Sequence, residues 1–134
     1  MKIRVDFVTN SSSAMYVICL HDTLSVERLA TLLADHIDAE SIQYCDHEQL
    51  TDALGHEYFE EDGLTQEDRY QLARFMAQAL RSEADSRHIT ELEGFKIFQA
   101  YAYNETEDLF TMLLYNMGWP GRKDLGIIIS GEGC

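Results

Sequence analysis

Proline is nearly absent: Pro120 is the one proline in 134 residues, which excludes a proline-rich linker or a collagen-like repeat. Basic residues are scarce as well. Ten Lys and Arg stand against 24 Asp and Glu, for a formal net charge of −14 at pH 7. That balance disfavours direct binding to DNA or RNA phosphates and attachment to an anionic membrane. No run approaches the ~18 consecutive apolar residues of a membrane span. The opening Met1-Lys2-Ile3-Arg4-Val5-Asp6 has a basic flank, but Asp6 and Asn10 interrupt any secretory apolar stretch. Cysteines number three (Cys19, Cys45, Cys134) and are widely spaced, which is no disulfide framework. Free thiols suit a reducing interior, so the expected location is cytoplasmic.

The composition is that of a globular chain. Apolar residues make up 46% and charged residues 25%, and the length suits one domain spanning residues 1–134. Residues 3–8 alternate, with Ile3, Val5 and Phe7 opposite Lys2, Arg4 and Asp6, the period of a half-buried strand. A polar turn through Thr9–Ser13 leads to the apolar run Ala14–Leu20, a strand covered on both faces that pairs back as a hairpin. Val26, Leu29, Ala30, Leu33 and Ile37 recur at helical spacing after a cap at Ser25 or Asp22-Thr23. A short strand over residues 41–45 would close a strand–helix–strand unit.

A weaker helix is expected over residues 46–59, with Gly55 near its end. Thr65, with Asp68 three positions on, opens the strongest helix, whose buried stripe is read as Leu72, Phe75, Met76, Ala79 and Leu80. Residues 82–94 read as a polar hinge or a short capped turn. Phe95–Tyr103 is strand-like, and a helix to Met117 places Leu109, Phe110, Leu113, Leu114 and Met117 for burial. Leu125–Ile129 reads as a core strand before a loose tail. The expected fold is α/β or α+β: a mixed sheet of about 4–5 strands packed with about 4 helices.

The segment Lys2-Ile3-Arg4-Val5-Asp6-Phe7-Val8-Thr9-Asn10-Ser11-Ser12-Ser13 resembles the opening of a scattered group of short bacterial and phage proteins. In that group a Phe-Val-Thr/Ser-Asn stretch runs into serines and then an apolar strand. The resemblance covers about the first 20 residues and implies a phage or mobile-element connection without an activity; the serines themselves suit a turn.

Two Cys-x-His pairs are the most specific chemical feature. Cys19-Leu20-His21 closes the first long strand and Cys45-Asp46-His47 the strand expected after the crossover helix. Alternate strand residues point the same way. In a parallel unit both strand ends share one sheet edge, so Cys19, His21, Cys45 and His47 would form the ligand set of a zinc site. The competing expectation is buried structural cysteines with histidines beginning loops. No cofactor is expected beyond that zinc.

The other feature is a charge desert. Residues 29–68 hold no Lys or Arg but twelve acids and three of the five histidines. Asp35, Asp38, Glu40, Glu57, Glu60, Glu61 and Asp62 are the candidate partner-binding residues, an anionic face that would dock a basic protein. The alternative is a solvated surface that keeps the protein soluble. No G-x-S-x-G elbow, Walker A loop or dinucleotide fingerprint is present. Gly118–Lys123 reads as turn chemistry. Phe95, Phe98, Tyr101 and Tyr103 lack the cationic groove of a base-stacking sheet and read as core or dimer-interface residues. The sequence points to a protein-interaction or regulatory module rather than an enzyme, with a metal-binding protein or metal-dependent enzyme as the alternative. Edge strands and exposed aromatics leave room for a homodimer.

Overall fold

The computed structural model describes residues 13–43, 45–103, 108–116 and 127–133. The strand expected over residues 3–8, the serine turn up to Ser12, and the Gly118–Lys123 turn lie outside them. Strand β1 (Ser13–His21) forms from the apolar run and pairs antiparallel with β3 (Phe95–Tyr103) and β4 (Ile127–Gly133). A short β2 (Thr90–Leu92) completes the order β2-β3-β1-β4. All three pairings are antiparallel, so the architecture is α+β. The mixed sheet and its parallel crossover are not what the described residues form. Residues 131–133, expected as loose tail, are the last part of β4.

Register and side-chain alternation fix which face is covered. Ile18 lies opposite Phe98 on β3, and Ile18, Leu20 and Phe98 are fully buried. The intervening Val17, Cys19, Ile97 and Tyr101 retain exposure. The inner face joins one core cluster with Leu29, Leu33, Leu72, Met76, Leu80 and Leu113, which are contributed by the helices.

Helix α1 (Val26–Ala34) starts where Ser25 Oγ accepts the Arg28 N–H at 3.2 Å, and it buries Leu29, Ala30 and Leu33. The strand expected at residues 41–45 does not form. Asp38 Oδ1 accepts the Ser41 N–H at 3.0 Å while Ser41 Oγ accepts the Asp38 N–H at 3.2 Å. That reciprocal box winds Ala39–Ile42 into a 3₁₀ turn and seats Ile42 in the core. Local capping thus overrides the β preference of Ile42 and its neighbours.

Helix α2 (His47–Leu54) is capped by Asp46 and ends at Gly55, whose φ of 83° is the left-handed conformation glycine adopts freely. A second 3₁₀ turn, Glu60–Asp62, precedes α3 (Gln66–Arg87). Helix α3 packs along α1 and also touches α2, β3 and α4. Its buried stripe runs through Leu72, Ala73, Met76, Ala77, Leu80 and Ala84. Phe75 and Ala79, expected inside, are only partly buried, whereas Ala73, Ala77 and Ala84 are buried. The helix also continues through residues 82–87, expected as hinge.

Helix α4 (Leu109–Asn116) begins beside α2: Gln49 Oε1 accepts the Leu109 N–H at 2.9 Å, and Asp108 Oδ2 accepts the Thr111 N–H at 3.1 Å. Leu109, Met112, Leu113 and Leu114 are buried. Among the described residues no helix is long and apolar enough to cross a membrane.

Candidate functional site

The two Cys-x-His pairs sit in different settings. Cys19 and His21 lie on β1, whereas Cys45 follows the first 3₁₀ turn and His47 opens α2. The zinc arrangement required both pairs at the ends of neighbouring parallel strands, and Cys45 and His47 are in no strand. Among the described residues, no three His, Cys, Asp or Glu side chains gather as a metal site would require.

His21 Nδ1 accepts the Thr23 N–H at 3.2 Å and lies 2.8 Å from Thr23 Oγ1. Its ring meets Phe95 edge-on at 4.8 Å between centroids. Burial pushes the Cys19 thiol up. Burial, followed by the charges of Asp108 and Asp46, pushes Cys45 up to about 12. Both therefore stay protonated near neutral pH, and neither is an activated nucleophile.

The acid-rich stretch is folded and wet at once. Leu29, Ala30, Leu33, Ile37, Ile42, Leu50 and Leu54 are in the core, which ties residues 29–54 to the rest of the molecule. Of the twelve acids all but Asp46 and Asp68 are exposed, including Asp35, Asp38, Glu40, Glu57, Glu60, Glu61 and Asp62. Asp38 and Asp46 spend their carboxylates as helix-start caps, through Ser41 and Gln49. Glu60, Glu61 and Asp62 are consecutive in one 3₁₀ turn with none of them buried.

Two histidines sit against acids of this surface. His47 Nε2 lies 3.2 Å from Glu57 Oε2, both side chains more than half exposed. His56 Nε2 lies 2.7 Å from Oδ1 of the buried Asp68. Burial alone would raise the Asp68 carboxyl, but the bonds from His56 and from Thr65 hold it below its ordinary value. Asp68 was legible as the third residue of a capping box: its Oδ2 accepts the Thr65 N–H at 3.2 Å and its own N–H goes to Thr65 Oγ1 at 3.0 Å. Its link to His56 was not, because the two are twelve residues apart and are joined only by the fold.

Elsewhere, an open groove of about 250 Å³ between α2 and α3 is lined by Asp52, Ala53, Gln71, Arg74, Phe75 and Gln78. It carries one charge of each sign and no nucleophile. Along β3, Phe98 is buried while Tyr101 is 54% exposed. Lys96 beside them is held by Asp85 at 3.1 Å and Asp22 at 3.3 Å. No protein-family profile, curated protein or solved structure matches the chain.

Proposed function

We propose that the protein is an interaction or regulatory module that docks a basic protein through the acidic surface of residues 29–68. The observation that carries this reading is the combination of burial and exposure within one stretch. Leu29, Ala30, Leu33, Ile37, Ile42, Leu50 and Leu54 are in the core, while Asp35, Asp38, Glu40, Glu57, Glu60, Glu61 and Asp62 face solvent. The backbone that carries Asp35, Asp38 and Glu40 is anchored by these buried side chains, so little of its freedom is lost on binding. With no Lys or Arg in the stretch to offset them, the acids act together on an approaching cation and raise its rate of encounter. The two described thiols are held protonated, and Asp38 and Asp46 serve as helix-start caps.

The test is capture from the native host with the wild-type chain and with the neutralised variant Glu60→Gln/Glu61→Gln/Asp62→Asn. The wild type is expected to retain a basic protein at low salt that the variant retains poorly. Equal retention by both, or retention only of acidic or uncharged proteins, would overturn the reading.

A further inference from the structure

His56 stands between two acceptors. Its Nε2 is 2.7 Å from Asp68 Oδ1 and its Nδ1 is 3.0 Å from the Glu57 carbonyl oxygen. Neither acceptor has a hydrogen to give, so both ring nitrogens must carry one, and the geometry is that of an imidazolium. A neutral ring would aim a lone pair at a carbonyl or at a carboxylate, and one of the two bonds would be lost.

The position of this ring gives that loss a consequence. His56 follows the Gly55 end of α2, and Asp68 belongs to the first turn of α3. Between them runs the connection that holds Glu57, Glu60, Glu61 and Asp62. Few internal bonds hold it: the Asp62 N–H to the Phe59 carbonyl at 3.0 Å and the Gly63 N–H to the Glu60 carbonyl at 3.1 Å. We propose that His56 is a pH-operated latch: charged, it bonds Asp68 and the Glu57 carbonyl at once; on losing a proton to solvent, it keeps only one of those bonds and loosens its hold on the acid-bearing residues 57–62.

The titratable groups around the latch are few. Asp68 faces the ring from α3, and Glu57 offers its carbonyl while its carboxylate takes His47 Nε2. Tyr58, next in the connection, sits close enough to Glu60 and Asp68 for their charges, after burial, to raise its hydroxyl. The Asp68 bond and then the Glu57 carbonyl hold His56 above its ordinary value of 6.5, against a smaller opposing effect of desolvation. A histidine raised on folding contributes stability that is complete below 6.5 and is lost as pH rises through the raised value. Asp68, held below 3.8, contributes above 3.8 and loses its contribution as pH falls through the lowered value. The latch is closed between those two limits and opens on the alkaline side of the His56 titration.

The test follows the histidine ring nitrogens of the full chain by NMR across roughly pH 5 to 9, together with amide exchange corrected for its intrinsic pH dependence. The His56 midpoint is expected above 6.5, and protection of the Asp62, Gly63 and Thr65 amides is expected to fall through that midpoint. In Asp68→Asn the midpoint should drop towards 6.5, and in His56→Gln the pH dependence of protection should vanish. A wild-type midpoint at or below 6.5, or protection unchanged across the titration, would overturn the proposal. No partner enters this measurement, so its failure is distinct from failure of the docking reading. If both hold, affinity for the basic partner changes across the His56 titration.

Discussion

At the scale of single residues, the β2–β3 turn is the most exacting position described. Glu93 and Gly94 both have positive φ, 52° and 86°, as a two-residue hairpin turn of the favoured hand requires. Glycine accepts this freely; glutamate does not, since its Cβ crowds the backbone there. Glu93→Asn should therefore raise stability by about 0.5–1 kcal/mol, read by urea denaturation. Gly94→Ala should do the opposite, because a Cβ at that position would lie 2.6 Å from His21 Nε2 in addition to the unfavourable φ. A loss of roughly 1–3 kcal/mol is expected. Equal stability of the wild type and both variants would show that the turn is not held as described. Nearby, Arg81 Nη1 donates to the carbonyls of His21 and Leu24 at 3.0 and 3.2 Å, which ties the end of β1 to α3. Burial would raise the Asp85 carboxyl beside it, but Lys96 and Arg81 hold it below its ordinary value. Its contribution is present above 3.8 and fades as pH falls through the lowered value.

At the scale of elements, α3 is the central strut and its start is the feature to probe. Thr65 Oγ1 and Asp68 cap each other reciprocally, so Thr65→Ala should cost about 1 kcal/mol of stability. Its thermal midpoint should fall, and an unchanged midpoint would show that the cap is dispensable. Much of this level could be read in the sequence, because caps and periodicity are local. Ser25 before α1, Thr65 with Asp68 before α3, and the alternation of Phe95–Tyr103 all mark elements found in the fold. The errors also have local causes. Ser41–Cys45 looks like a strand until Asp38 is recognised as the partner of Ser41. Residues 82–87 look polar because α3 keeps only Ala84 buried near its end, which leaves almost no apolar period to detect. The Glu-Gly turn lacks the Asn or Asp that usually announces a hairpin. The exposure of the acids could be anticipated from charge alone, whereas the bond from His56 to Asp68 could not, because tertiary packing alone brings α2's end to α3's start.

At the scale of the whole molecule, charge is the dominant theme. A net charge of −14 on 134 residues sets the folded state against its own repulsion, and that repulsion is strongest where acids are closest. Moderate salt should therefore raise the thermal midpoint of the isolated protein, as the screening length shrinks to about 10 Å near 0.1 M. A midpoint that falls with added salt would mean that the Arg81, Lys96, Asp85 and Asp22 pairs outweigh the repulsion. Part of that charge, at Asp35, Asp38 and Glu40, sits on a surface anchored by Leu29, Leu33 and Ile42.

The most direct measurement is the affinity of the captured basic partner for the wild type and for Glu60→Gln/Glu61→Gln/Asp62→Asn as ionic strength rises. Docking through the acidic surface predicts a wild-type loss of roughly tenfold or more between about 50 and 300 mM salt, and a shallower slope in the variant. An affinity indifferent to salt, or the same slope for both proteins, would contradict it.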